Sequence, residues 1–329
     1  MSSMPDLSQG TEVWRVSTPA AKCVHRIVPR TGHWTEASQA GQHSYHPAQT
    51  LCLLVWIRGG GMGLQSPCDS VEPVFQGKTL GDGVWFRGPT STPWVGFPTP
   101  GTEKLLVWLY PDVVQRLFGI APGEYCDCWV PWAYPLVNRL WGHWGQSILE
   151  ADWSQGTPAT LNEGLAEENG IDVNGSPGWF GDLNGWHRQL INRLERELKG
   201  RSRRTWQRMY RRMVGVSPSE IERQRRVDAT IQVMLNQAVG EKLNLGQLAF
   251  QQGYCDQSHL VRSIRQVTGF SPRSLISAVS QQLGMWPYRI QYWPDQPQPK
   301  SCMDMSVRKT RDFPQGQINP VNGGSRVFS

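Results

Sequence analysis

No apolar run in the chain is long enough to cross a bilayer. The longest, Leu51 to Ile57, falls far short of the roughly 18 residues a spanning helix needs, so a membrane protein is not expected. The first ten residues have neither a basic start nor an apolar stretch, so no secretory signal is read there and a cytoplasmic protein is expected. Cysteine is sparse: the seven thiols (Cys23, Cys52, Cys68, Cys126, Cys128, Cys255, Cys302) are odd in number and irregularly spaced, which argues against a disulfide framework. Neither a zinc pattern nor a complete phosphate or dinucleotide loop is present. Gly77-Lys78-Thr79 lacks the earlier glycine of a phosphate loop, and Arg58 to Gly63 has the wrong spacing for a dinucleotide. His43 and His46, with His25 and His33 nearby, lack the following Glu of a metal-binding cupin, and Cys126 and Cys128 are too close for a zinc knuckle. No cofactor and no metal are expected.

Charge, by contrast, is unevenly placed. Up to Asn184 the chain holds 10 Lys and Arg against 17 Asp and Glu, a net −7. From Gly185 to Met285 it holds 17 against 7, a net +10, and 15 of those 17 cations are Arg. Arg offers a forked set of donors suited to phosphates and guanine edges, so this block points to a nucleic-acid surface.

The first 120 residues read mostly as short strands: Leu51 to Ile57, Val71 to Phe75, Val84 to Arg87 and Lys104 to Tyr110, each bounded by Gly or Pro. Such spacing suggests a small antiparallel barrel or sandwich. Helices are expected over Asp112 to Phe118 and Pro135 to Leu149, covering that barrel. Thirteen of the sixteen Trp precede residue 200. They are either large core fillers or the lining of a ligand pocket, and Trp56, Trp85, Trp94 and Trp108, on consecutive candidate strands, are the ligand-binding candidates. Residues 151 to 185 read as a flexible acidic linker, and the Pro, Gln and Asn-rich stretch from 286 to 329 as a disordered tail.

Between them lie two units with one logic. In the second, Leu245, Leu248 and Ala249 form a packing face, Gly253 turns the chain, and Asp256 caps a helix. On that helix Leu260, Ile264 and Val267 point inward and Ser258, His259, Arg262 and Arg265 outward. In the first, Leu190, Leu194 and Leu198 support a helix capped by Ser202, with Trp206, Tyr210 and Met213 inward and Arg204, Gln207, Arg208 and Arg211 outward. Ser217-Pro218-Ser219-Glu220 is a capping box that opens a connecting helix, its stripe formed by Val227, Ile231, Met234, Leu235 and Ala238. A supporting helix, a turn and a helix with a polar, basic face make a major-groove reader. Ser271-Pro272 starts another helix.

Gly253-Tyr254, Asp256-Gln257-Ser258-His259-Leu260, Arg262, Arg265, Thr268-Gly269 and Ser271-Pro272 resemble the signature of the AraC/XylS family of bacterial transcription regulators. Ser202 to Arg208, followed by Gly215-Val216-Ser217-Pro218, resembles that family's first unit and the start of its linker helix. Gly83 to Pro89, Lys104 to Tyr110 and the helix after Pro111 resemble the cupin-like sensory domain of one branch. The resemblance implies an α+β multidomain protein: a cupin-like antiparallel β-barrel over 1–150, a linker over 151–185, a double helix-turn-helix over 186–285 and a tail. It further implies double-stranded DNA read in the major groove by Arg204, Gln207 and Arg208 and by Ser258, His259 and Arg262, with Arg211 and Arg265 beside them. A small-molecule effector is implied at the N-terminal domain, with RNA polymerase as a further partner at the regulated promoter. The helix that usually precedes the first unit is hard to place, because Pro177-Gly178 and Gly181 interrupt its region. The competing reading is an enzyme carrying such a DNA-binding domain, for example a repair alkyl transferase, which would need a zinc-held Cys cluster in the front half.

Overall fold

In a computed structural model of the chain, residues 24–31, 43–65, 78–133, 135–153, 158, 160–161, 183–237 and 243–292 are described. Eight strands come first: β1 (Val24–Thr31), β2 (Ser44–His46), β3 (Cys52–Arg58), β4 (Met62–Gln65), β5 (Lys78–Leu80), β6 (Gly83–Arg87), β7 (Trp94–Pro98) and β8 (Glu103–Leu109). Helix α1 (Pro111–Phe118), a single 3₁₀ turn (Pro122–Tyr125), β9 (Trp129–Pro131) and α2 (Arg139–Glu150) follow. The strands pair antiparallel in two sheets, ordered β1-β8-β3-β6-β9 and β2-β7-β4-β5. That order of the first eight strands is the double Greek key of a jelly roll. Of the expected barrel or sandwich, the structure shows two antiparallel sheets, with no closed barrel among the described residues. Long-range pairings such as β1 with β8 decide this, and short-range sequence patterns do not encode them.

The unbroken apolar run in β3 follows from burial on both faces, which removes the usual alternation. Leu53, on the face shared with Trp108 and Arg87, looks toward the second sheet, and Trp56 looks the other way. There its indole N–H donates to the Gly145 carbonyl of α2 at 2.8 Å, and its ring meets Trp144 edge-on. Trp56 is thus a packing residue under a covering helix, not a lining residue between the sheets. The strand expected at Val71 to Phe75 lies outside the described residues.

The C-terminal half is helical: α3 (Leu183–Glu197), α4 (Arg203–Val214), α5 (Pro218–Gln237), α6 (Leu245–Gln251), α7 (Gln257–Thr268), α8 (Pro272–Gln281) and α9 (Trp286–Tyr292). The starts are set by capping side chains. Ser202 accepts from the Thr205 N–H, Asp256 from that of His259 and Ser271 from that of Ser274, each meeting one of the donors a helix start leaves unpaired. Ser217 and Glu220 form the reciprocal box. Gly215 and Gly269 end α4 and α7 in the left-handed conformation, at φ 88° and 80°, which glycine adopts without steric cost.

The tail expected from residue 286 needs correction at its start. Trp286 to Tyr292 form α9, in which Trp286 to Ile290 and Tyr292 are buried. Pro287 lies in the first turn, where its missing N–H costs nothing. Of the expected linker, most lies outside the described residues, but Trp153 and Leu161 are core residues packed with the jelly roll.

Candidate nucleic-acid interface

Helix α7 is built as expected. Leu260, Ile264 and Val267 are buried in the core of the second unit, whereas Ser258, Arg262 and Arg265 are exposed and His259 half-buried. The His259 ring rests edge-on against Tyr254 at 5.3 Å, and its backbone N–H is held by Asp256, so both its ring and its main chain are fixed. Leu245, Leu248 and Ala249 of α6 are buried beneath.

Helix α4 presents Arg204, Gln207, Arg208 and Arg211 on its exposed side. Its inner side is tied to its neighbours: Tyr210 is fully buried, and its hydroxyl lies 2.5 Å from His187 Nε2 of α3. The other ring nitrogen of His187 faces Glu222 of α5 at 3.6 Å. Burial, with the Arg225 charge adding to it, pulls the His187 pKa down, and burial pushes the Tyr210 phenol up. A cleft of about 330 Å³ lies beside α4, bordered by Arg203, Gln207, Arg211 and Ser217.

The connecting helix α5 buries Val227, Ile231, Met234 and Leu235 as its stripe predicts, whereas Ala238 lies outside the described residues. Halfway along it, Asp228 accepts a hydrogen bond from the Tyr292 hydroxyl at 2.6 Å, and burial still pushes its carboxyl up to about 7. A folded-state pKa above the unfolded one means that the protonated acid favours folding. This contribution is whole below the ordinary Asp value of about 4 and is lost as pH rises through about 7. Asp228→Asn carries no such loss. It is expected to unfold at a higher urea midpoint than the wild type near pH 8, by less near pH 5, and to match it near pH 3.5, where the unfolded chain also holds the proton; an equal difference at pH 8 and pH 3.5 would contradict this account.

Both helix-turn-helix units are seated on the jelly roll, a feature with no signal in the sequence. The turn Pro122–Tyr125 lies against the end of α4 so closely that a Cβ on Gly123 would be 2.2 Å from the Arg211 carbonyl oxygen. No side chain fits there, and Glu124 pairs with Arg212 at 3.3 Å beside it. Asp112, buried in the first turn of α1, accepts from the Trp186 indole N–H at 2.7 Å and from Arg193 at 3.1 Å, both on α3. The second unit meets the outer face of the second sheet. Tyr45 packs edge-on against Phe270, Val95 shares its core, and the Ala48 N–H donates to the Val267 carbonyl at 2.8 Å. Between the jelly roll, α5 and α9 lies a cavity of about 30 Å³ bordered by His46, Thr50, Trp108, Gln224, Asp228 and Trp286.

Of the four candidate ligand-binding Trp, Trp85, Trp94 and Trp108 lie on strand faces turned to the space between the sheets, judged by their register with Leu53 and Arg87 and by the Arg87–Trp94 contact. Trp85 is only half-buried and donates to the Gly81 carbonyl. The sequence reading missed Trp129 and Arg87, which join Trp94 there. Among the described residues, no group of three or more His, Cys, Asp or Glu could hold a metal ion, and no helix is long and apolar enough to cross a membrane.

Two short helix pairs, each offering an exposed basic helix and joined by one long helix, define a DNA-binding protein of the helix-turn-helix class. Residues 198–288 match the family model described as a helix-turn-helix domain, and this part of the chain is of the AraC type, a domain of transcription regulators. No curated protein matches the sequence. Among solved structures the chain is similar to ToxT from Vibrio cholerae, at 10% identity and a TM-score of 0.35, over 76% of this chain and 98% of that one. It is also similar to unsaturated fatty acid-bound ToxT from strain SCE256, at 11% identity and 0.34, over 83% and 97%. A third is the AraC-like transcriptional activator CuxR, at 14% identity and 0.21, over 80% and 77%. These are loose likenesses.

Proposed function

We propose that the protein is a sequence-specific transcription regulator in which α4 and α7 each enter the major groove, and that a small molecule held by the jelly roll controls it. The carrying observation is the exposed face of α7: Ser258 and Arg262 stand one turn apart on a helix whose start, inner face and end are all fixed. Phosphate contacts position such a helix and base contacts specify it. Arg262 supports a base-reading role and Arg204, Gln207 and Arg208 a parallel role on α4, while Arg211, bordering the cleft beside α4, suits a phosphate. Control by an effector is supported by the seating of both units on one jelly roll, since a ligand favouring one arrangement of that contact shifts the whole protein toward it. In this reading a jelly roll with covering helices extends to about Leu161 and the DNA-binding part runs from Leu183 to Tyr292 and includes α9, a division that the order of the elements supports.

Selection of bound fragments from the source genome supplies the operator, and Arg262→Ala then tests the reading. The variant is expected to weaken specific binding by roughly 1–3 kcal/mol and to relax preference at one or two base pairs. Unchanged preference with a shallower salt dependence would make Arg262 a phosphate contact instead. Failure of the full chain to select any sequence would end the proposal.

A further inference from the structure

Between the two sheets lies a cluster of hydrogen-bond donors that lacks acceptors. Arg87, on β6, is 6% exposed, and its guanidinium stands 4.9 Å from the centre of the Trp94 ring and 5.1 Å from that of Trp129. The two rings meet edge-on at 5.3 Å. Arg87 Nε, Trp94 Nε1 and Trp129 Nε1 are all buried, and among the described residues none has a hydrogen-bond partner. Leaving even one buried donor unmet is costly, and native structures hold few. Here three sit together, and all are donors.

Lys104, in the first sheet, is 3% exposed, and its charge and that of Arg87 both act on buried His46, whose pKa burial already lowers. The carboxylate nearest in effect to Arg87 is Asp127, which makes no ion pair with it and instead accepts from Ser91 through both oxygens. Around the cluster the walls are apolar: Leu53 and Trp108 share the row of the first sheet that holds Arg87, and Met62 is fully buried close to Trp94 on the second.

We infer that Arg87, with the indole N–H groups of Trp94 and Trp129, receives the carboxylate of the small-molecule effector, an organic acid whose apolar body lies between the sheets. The inference rests on the effector reading proposed above and names its ligand class. A guanidinium binds a carboxylate through two parallel charge-assisted bonds, and two ring N–H groups supply further donors. His46 ties this site to the DNA-binding part. Its ring stacks on Trp94 at 3.8 Å and also borders the cavity closed by Asp228 of α5 and Trp286 of α9. At about 30 Å³ that cavity holds only a water or two. An acid entering by it has to displace side chains of α5 or α9, so occupancy and the placement of those helices are coupled.

The test uses the full chain in carboxylate-free buffer at constant ionic strength, with acetate and benzoate as probes and acetamide and benzamide as their neutral counterparts. In the wild type the acids are expected to quench Trp fluorescence and raise the unfolding midpoint by about 2 °C, and the amides to do neither. Arg87→Met is expected to lose the response to acids while remaining at least as stable as the wild type without them, since it removes an unpaired buried cation. Arg87→Lys keeps the charge without the fork, and is expected to retain the selectivity with about tenfold weaker affinity. Acids and amides acting alike, no response to either acid, or a persisting acid response in Arg87→Met would each overturn the assignment. A neutral metabolite that shifts the midpoint while both acids fail would overturn it too, yet leave effector control standing.

Discussion

Replacing Asp112 by Ala is expected to lower the stability of the protein by about 3–5 kcal/mol, the usual cost of breaking a buried ionic network by removing one partner. The carboxylate joins α1 of the jelly roll to α3 through Trp186 and Arg193, and Arg116 stands 3.7 Å away. Without it the Trp186 N–H loses its acceptor, and Arg193 keeps only Glu197 at 3.8 Å and the Met213 sulfur at 3.7 Å. Asp112→Asn keeps an acceptor for Trp186 but loses the charge, and should fall between the two. Urea titration followed by Trp emission measures both variants. An Ala variant within about 1 kcal/mol of the wild type would put this network in the class of exposed ion pairs, which contribute little.

The second large effect is expected at Tyr288. Its ring is fully buried in the core of the second unit, and its hydroxyl donates to the Thr268 carbonyl at the end of α7, at 3.2 Å. Tyr288→Ala creates a cavity of aromatic size and orphans that carbonyl, for a loss of about 3–5 kcal/mol. Tyr288→Phe removes only the hydrogen bond and should cost about 1 kcal/mol. Because the loss falls beside α7, operator binding should fail at lower temperature than the melting of the jelly roll. Unfolding of both parts at one unchanged midpoint would contradict it.

What could be read from the sequence was what neighbours in the chain decide. The caps at Ser202, Asp256 and Ser271 and the inward and outward faces of α4 and α7 depend on residues within one or two turns, and each stands where its pattern placed it. What escaped depends on distant partners. Asp112 looked like an ordinary acidic residue in a first helical turn, and Gly123 like any loop glycine, because Trp186 and Arg211 meet them only in the folded chain. Trp56 stands among the pocket candidates because strand periodicity gives two faces without saying which is inner. β4 is not read as a strand, since Gly63 interrupts its strand character. α9 was hidden in a composition typical of disorder, although Pro287 near its start was a legible sign.

The seating of the second unit on the sheet face around Tyr45 and Val95 also bears on how the chain comes off the ribosome. That face is finished early, yet its cover, Phe270, Met285 and Tyr288, emerges almost two hundred residues later. At about 5–20 residues per second of synthesis, an apolar patch of sheet stands bare for many seconds in each molecule made. During that interval the nascent chain is a client for chaperones, and copies on neighbouring ribosomes share the same sticky surface. Synthesis at a low rate keeps such encounters few; strong overproduction multiplies them and favours inclusion bodies.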